Sequence, residues 1–192
     1  MKYLFSIIFI LYCNLCFCQD ATSIEYEIRW KQSDHVGRSR FIFDDSFSYH
    51  YFKKENDSLQ FETVFSKSIQ HHSTFCNKKL NLLYNGVNVS DKNNYLITEK
   101  IIKLDWILYP DTKVILGYTC FKAVTKINSH KITVWYCNDL GDGVGLPFYA
   151  GLPGTILQID DKNRKQSFIA LNILKGNYRF SLPLANIINK VE

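Results

Sequence analysis

Alternation of apolar and polar residues with a period of two constrains the fold of this chain more than any other feature. Near the start, Ile24, Tyr26, Ile28 and Trp30 alternate with charged residues. Successive side chains of a β-strand point to opposite faces, so this pattern indicates a strand with one solvent-exposed face. Similar aromatic-rich segments follow along the chain. The one candidate helix is a weak pattern over residues 184–191.

The alternation predicts an all-β, single-domain fold. Strands are predicted over residues 24–30, 40–43, 47–52, 59–65, 80–84, 95–98, 101–108, 113–126, 131–138, 155–160 and 166–174, and residues 66–79 are predicted to form a loop. Short turns join consecutive strands, which favours one strongly curved antiparallel sheet, a half-barrel or barrel. A two-sheet sandwich is the alternative.

A glycine-rich loop precedes one of these strands. Residues 141–154 contain five of the nine glycines and two of the four prolines. Glycine permits positive φ and close backbone approach, and proline fixes φ. Gly151, Leu152, Pro153 and Gly154 are therefore predicted to turn the chain into the strand that starts at Thr155. If φ of Gly154 is positive, a side chain there is expected to strain the backbone. No lysine follows the last glycine, which argues against a phosphate cradle.

The N-terminus has the pattern of a secretory signal. Lys2 precedes a short apolar run, and Cys16 and Cys18 are small residues at the positions that precede a cut before Gln19. We therefore predict a signal peptide over residues 1–18 and one domain over residues 19–192. Export would place the domain in the periplasm, at the outer membrane or outside the cell. No segment after residue 18 is apolar and long enough to span a membrane.

Charge and motif content exclude some functional classes. The net charge is +5, and basic residues alternate with acidic ones without forming a stripe, so nucleic acid is not an expected partner. No catalytic triad, spaced acid pair or zinc-binding helix is visible. An uncharacterised hydrolase is therefore the weakest of the functional hypotheses.

Cysteine spacing predicts a disulfide. A two-residue turn at Asn128 and Ser129 would place Cys120 opposite Cys137 in a hairpin. The pair would occupy a non-hydrogen-bonded site, where Cα atoms lie about 4.5 Å apart. That separation falls within the range of about 4.4–6.8 Å that a disulfide needs. Two buried free thiols are the alternative.

A second cluster has the residue types of a metal site. His71, His72 and Cys76 lie within six positions, and imidazole and thiolate both bind zinc or copper. A closed site needs a fourth ligand, which the neighbouring sequence does not supply. A solvated polar loop is the alternative. No other cofactor is expected.

Aromatic residues in the second half are candidates for a binding surface. Trp106, Tyr118, Trp135, Phe148 and Tyr149 lie in or beside predicted strands and the glycine-rich loop. On the concave face of a curved sheet they would line a site for an apolar ligand or peptide. Packing in the core is the alternative for the tryptophans.

Several short motifs carry a family resemblance. Residues 151–156 read GLPGTI, residues 117–120 read GYTC, and residues 134–136 read VWY. In this order and spacing they resemble the GLPGLI family of secreted Bacteroidetes proteins. The resemblance implies an exported cell-envelope protein with no established activity, and a TonB-dependent outer-membrane receptor or an envelope lipid or peptide as partner. The GYTC and VWY strands are also similar to the half-barrel of periplasmic lipoprotein carriers. The leading hypothesis is a non-catalytic binding module, with a metal-handling protein as the alternative.

Overall fold

The computed structural model shows one curled, open β-sheet of twelve strands. It describes residues 19–32, 36–53, 73–90, 93–142, 146, 148–162, 164–178 and 186–189. The strands follow the order β12-β6-β5-β4-β3-β2-β1-β11-β10-β9-β8-β7, so β12 and β7 form the two edges. The described residues contain no helix. The predicted all-β class and curved antiparallel sheet are confirmed, and the alternative of two packed sheets is not what forms.

The strands are β1 (Gln19–Trp30), β2 (Val36–Phe43), β3 (Phe47–Lys53), β4 (Thr74–Asn77), β5 (Leu82–Ser90), β6 (Asn93–Lys100), β7 (Ile107–Ile115), β8 (Tyr118–Ile127), β9 (His130–Cys137), β10 (Thr155–Asp161), β11 (Gln166–Tyr178) and β12 (Asn186–Asn189). Every neighbouring pair is antiparallel except β12 with β6, which is parallel.

The alternating strand at the start becomes the centre of the sheet. β1 pairs with β2 on one side and with β11 on the other. Ile24, Tyr26 and Ile28 are fully buried on the inner, concave face, while Glu25 and Glu27 lie on the outer face. Period-two burial follows directly from the pleat, because alternate side chains point to opposite faces.

Apolar side chains form two clusters. The larger one combines β1 and β2 with β8, β9 and β10 and includes Val134, Ile156 and Ile159. The smaller one is rich in tyrosine and includes Ile42, Tyr49, Phe75, Tyr84, Leu96 and Tyr178. Residues of the two clusters alternate along β2, so the clusters lie on opposite faces of the same sheet.

A β-bulge in β10 is closed by a side chain from the centre of the sheet. The β9–β10 register shifts between Ile156 and Gln158. The hydroxyl of Tyr26 donates to the carbonyl of Ile156 at 2.5 Å, within the buried interior. A buried carbonyl without a partner costs about 1–3 kcal/mol, so this bond stabilises the irregular strand.

The β8–β9 hairpin has the predicted register. Ile127 pairs with His130 and Phe121 pairs with Tyr136, around the turn at Asn128 and Ser129. The next residues along are Cys120 and Cys137, and both are free thiols in the structure. The predicted register is confirmed, and the disulfide stays a prediction.

Two strand predictions in the middle of the chain are wrong. Residues 113–126 form two strands instead of one, because Leu116 and Gly117 both adopt positive φ and turn β7 back into β8. Residues 101–106 are irregular, where a strand over 101–108 was predicted. In this segment the amide of Leu104 donates to the carbonyl of Ala150 at 2.9 Å, so the chain follows the glycine-rich loop instead of a strand.

Two further predictions fail near β4 and at the C-terminus. Thr74–Asn77 is a buried strand within the predicted 66–79 loop. The candidate helix over 184–191 contains Asn186–Asn189, which is a strand paired with β6. The predicted strand at 59–65 and the predicted signal peptide at 1–18 lie outside the described residues. Within the described ranges, no helix has the length and apolar character needed to cross a membrane.

Candidate functional site

The glycine-rich loop is packed against the irregular segment that precedes β7. The carbonyl of Ala150 accepts the amide of Leu104 and also the indole Nε1–H of Trp106, the latter at 3.1 Å. Gly151 has φ of 108°, and a Cβ there would lie 2.8 Å from the carbonyl oxygen of Leu104. The loop therefore needs glycine at position 151 both for its conformation and for the close approach.

The end of the loop is fixed against β9. Gly154 is buried, and a Cβ there would lie 2.7 Å from the carbonyl carbon of Cys137. The hydroxyl of Thr155 donates to the carbonyl of Gly141 at 2.8 Å, which ties the two ends of the loop together. The predicted structural role of Gly151 and Gly154 agrees with these contacts. Gly154 does not have positive φ, so close packing, and not backbone conformation, is the reason for glycine there.

The loop forms one wall of a cavity on the concave face. The cavity has a volume of about 380 Å³, within the range of about 300–1,000 Å³ typical of ligand pockets. Strands β3, β4 and β5 form the opposite wall, and β11 forms the floor. Its lining residues are His50, Phe52, Ser73, Thr74, Asn85, Gly86, Leu146, Phe148, Tyr149, Arg164, Gln166 and Phe168.

His50 is the most unusual residue of this cavity. It lies on the inner face of β3, is only 6% exposed, and its Nε2 has no hydrogen-bond partner. Burial lowers the pKa of His50 from 6.5 to about 3, so the imidazole is neutral. Buried polar atoms are nearly always hydrogen-bonded, so the unpartnered Nε2 sets His50 apart from the other polar residues in the described lining.

The mouth of the cavity is organised by a buried carboxylate. Asp161 is 2% exposed, and its Oδ2 accepts the hydroxyl of Tyr149 at 2.8 Å. Its Oδ1 accepts the backbone N–H of Arg164 at 3.0 Å. Burial, followed by the bond to Asp161, raises the pKa of Tyr149, which keeps the phenol protonated. The guanidinium carbon of Arg164 lies 5.1 Å from the ring centroid of Phe148, within cation–π distance.

The five aromatic residues predicted to bind a ligand are divided by the fold. Phe148 and Tyr149 line the cavity. Trp106, Tyr118 and Trp135 are half-buried and pack against the larger apolar cluster. The ring of Trp135 is covered by the Nζ of Lys113 at 4.4 Å.

Sequence reasoning missed most of the cavity wall. Among these residues His50, Asn85, Arg164 and Gln166 provide polar groups and Phe52 an aromatic ring. They come from three separate parts of the chain, residues 50–52, 85 and 164–166, and the curl of the sheet brings these parts together. His50 occupies an inward position of an apolar strand, which is the one signal the sequence carries for a functional role.

The predicted metal ligands are only partly placed. Cys76 is buried in β4, and burial raises the pKa of its thiol. His71 and His72 lie outside the described residues. Among the residues that the structure does describe, no group of three histidine, cysteine or acidic side chains could hold a metal ion. Metal binding by His71, His72 and Cys76 stays a prediction.

Two larger cavities have lining residues that differ from those of the cavity at His50. One, of about 750 Å³, is lined by Asp20, Asp44, Asp45, Asp142 and Lys175 among others. The other, of about 600 Å³, lies beside Gly151 and Pro153. The half-buried Lys78 borders the second, where its Nζ donates to the carbonyls of Asp44 and Asp142. That ammonium holds two loops together. In the larger of these cavities, Oδ2 of Asp44 is buried without a hydrogen-bond partner.

Comparisons with known proteins find similar solved structures and a matching family model. Two solved structures of PNGF-II, in space groups C2 and P21, share the fold with TM-scores of 0.65 and 0.64 at 21% identity. The alignment covers 90% of this chain and 31% of each PNGF-II chain, so this chain spans about a third of their length. No curated protein matches the chain.

A family model overturns the predicted resemblance. The model described as "N-glycanase peptide, N-terminal domain" matches residues 50–178. This range contains the GLPGTI segment and the other motifs on which GLPGLI membership was predicted, so that prediction is wrong. The hypothesis of a binding module for an apolar ligand, a peptide or an outer-membrane partner is wrong for the same reason. The matched range also contains all the lining residues of the cavity at His50. Because the model spans well over half of it, the chain belongs to the N-glycanase N-terminal domain family.

Proposed function

We propose that this domain recognises the carbohydrate of a glycoprotein and binds it in the cavity at His50. The observation that carries the proposal is the neutral, buried imidazole whose Nε2 lacks a partner in the cavity wall. Sugar hydroxyls both donate and accept hydrogen bonds, and a neutral imidazole nitrogen can complement either role. Membership of an N-glycanase domain family supports a glycan as the ligand class.

The aromatic content of the cavity fits the same ligand. Phe148 is 47% exposed at the mouth, and Phe52 and Phe168 lie deeper in the wall. The face of an aromatic ring is electron-rich and attracts the weakly positive C–H groups of a sugar ring. A few polar groups among aromatic walls are the usual composition of a small-molecule site.

The cavity wall favours binding over hydrolysis. None of the lining residues in the described part of the chain is Asp or Glu, and the one histidine among them, His50, remains neutral. General acid–base catalysis requires a group that gains or loses a proton near the working pH. The domain would therefore supply glycan recognition, while bond cleavage would need residues outside this cavity.

The proposal is tested with one N-glycosylated peptide and the same peptide after its glycan has been removed. Binding is measured by isothermal titration calorimetry on the purified domain. We expect binding of the glycosylated form and about tenfold weaker binding for Phe148→Ala, a loss of about 1.4 kcal/mol.

Tyr109→Ala provides a matched control. Tyr109 is 38% exposed and lies on the edge strand β7, outside the cavity lining. The Tyr109→Ala variant should bind the glycopeptide with the same affinity as the unchanged domain. Equal affinity for the two peptides, or a Phe148→Ala variant that binds normally, would refute glycan recognition by this cavity.

A further inference from the structure

The charge of the cavity is set by one side chain. Among the lining residues that the structure describes, Arg164 is the only lysine, arginine or acidic residue. His50 adds no charge, because burial keeps its imidazole neutral. The nearby carboxylate of Asp161 is 2% exposed and does not line the cavity. Within the described lining, a ligand that enters therefore meets one positive charge, that of Arg164.

Other contacts hold Arg164 in place, and within the described part of the chain no ion pair with a carboxylate neutralises its charge. Its backbone N–H is bound by Asp161, and its guanidinium lies over the ring of Phe148. Among the described residues, no ion pair between Arg164 and a carboxylate occurs within 4.0 Å. The Arg164 side chain also hydrogen-bonds the Tyr149 side chain. A guanidinium has five N–H donors, so one such bond leaves others for an anion of matching shape.

The distribution of charge between the cavities also favours an anionic ligand at Arg164. The cavity at Asp20, Asp44, Asp45 and Asp142 carries four carboxylates against one lysine among its lining residues. An anionic ligand would be repelled there and attracted to the cavity at Arg164. Fields of this kind direct charged ligands toward one of several openings on a surface.

We infer that the ligand of this cavity is an acidic sugar whose carboxylate pairs with Arg164. The sugar ring would lie beside Phe148, and its hydroxyls would reach His50 and Gln166 in the wall. One guanidinium balances the single charge of a carboxylate and can bind both of its oxygens, whereas a phosphate monoester carries up to about two charges. This inference rests on the proposed glycan-binding function and specifies the chemical class of the glycan.

The test uses pairs of probes that differ by a carboxylate-bearing group. Methyl glucuronide is compared with methyl glucoside, and sialyllactose with lactose, by NMR titration of the isotope-labelled domain. At least one acidic probe is expected to bind about tenfold more tightly than its neutral partner, with shifts at residues lining the cavity. Arg164→Gln should abolish that preference. Lys131→Gln removes one positive charge at an exposed position outside the cavity lining and should retain it.

The outcomes separate this inference from the function on which it rests. Glycopeptide binding without preference for either acidic probe would overturn the acidic-sugar assignment and leave glycan recognition intact. An acidic preference that survives Arg164→Gln would also overturn it, because the charge would then act elsewhere. Failure to bind any glycopeptide or sugar would overturn both.

Discussion

Gly154 is the residue at which the loop has least room for a side chain. An added Cβ would lie 2.7 Å from the carbonyl carbon of Cys137 and 3.0 Å from Cα of Asn138. Both atoms belong to backbone, which cannot rotate away as a side chain can. We expect Gly154→Ala to lower the free energy of unfolding by about 2–3 kcal/mol, the upper part of the range for overpacking. Urea denaturation followed by circular dichroism would measure it.

Gly141→Ala separates steric contact from backbone conformation. Gly141 has φ of 76°, and nothing lies within 4 Å of an added Cβ. The only cost of alanine at this position is then the left-handed backbone conformation. Gly141→Ala should therefore lower the free energy of unfolding by about 1 kcal/mol. If Gly154→Ala proves no more destabilising than Gly141→Ala, the close approach of the loop to β9 is incorrect.

His50 makes the stability of the domain depend on pH. The unfolded chain protonates this imidazole below about pH 6.5, whereas the pKa of about 3 keeps it neutral in the folded chain. The unfolded state then binds more protons, so stability is fully present above pH 6.5 and is lost as the pH falls toward 3. The loss should reach up to about 1.4 kcal/mol per pH unit.

A histidine variant isolates this contribution from all other titrating groups. His50→Gln removes the titration, so the stability of the native domain relative to the variant should fall by about 1–2 kcal/mol between pH 7 and pH 5. Urea denaturation at the two pH values measures the difference. His130→Gln, at an exposed turn position, is the control for loss of a histidine. Parallel pH profiles for the native domain and His50→Gln would show that the imidazole is not held neutral.

The β7–β8 hairpin contains a turn whose sequence does not suit its conformation. Leu116 and Gly117 have φ of 50° and 84°, and positive φ at both central positions defines a type I′ turn. Asparagine followed by glycine is the preferred pair for this turn, whereas leucine is strained there. Leu116 is 46% exposed, so little burial would be lost on substitution. We expect Leu116→Asn to raise stability by about 0.5–1 kcal/mol, measured as a higher Tm.

Leu116→Ala is the matched control for this substitution. It removes the same exposed apolar side chain without providing a residue that tolerates positive φ. Its Tm should stay at or below that of the native domain, and an equal rise for both variants would assign the effect to lost exposed surface instead of turn conformation.

Individual strands could be predicted where the pleat alone determines the pattern. Ile24, Tyr26 and Ile28 alternate with charged residues because one face of β1 carries glutamates. The polar pair Asn128 and Ser129 separates two segments that both have the pattern of a strand. The turn at Leu116 was not predicted, because a leucine within an apolar run has the pattern of a strand. The strand Asn186–Asn189 could not be recognised because its partner, β6, lies far away in the chain.

The candidate site was less predictable than the strands because the curl of the whole sheet assembles it. Phe148 and Tyr149 were identified, since they lie in the conspicuous glycine-rich loop. His50 and Arg164 were not, because the first belongs to a regular strand and the second to a charged turn. Local pattern gives the direction of each side chain, and only the curvature accumulated over many strands determines which of them meet.

The two apolar clusters raise the question of whether the molecule unfolds as one unit. β1 and β2 contribute to both, with Phe41 in the larger cluster and Ile42 in the smaller. Loss of either cluster would expose apolar side chains on the two strands that hold the other, so we expect one cooperative transition. All three tryptophans pack against the larger cluster, which makes tryptophan fluorescence a specific probe of that side.

Leu96→Ala therefore tests the coupling from the opposite face. Leu96 is 2% exposed and belongs to the smaller cluster, which contains no tryptophan, whereas the fully buried Ile159 belongs to the larger one. Each substitution to alanine should cost about 2–5 kcal/mol, and each should shift the urea midpoint reported by tryptophan fluorescence. A tryptophan transition that moves for Ile159→Ala and stays in place for Leu96→Ala would mean that the faces unfold separately. A common shift would mean that β1 and β2 transmit the loss across the sheet, and that the cavity is stabilised by both clusters.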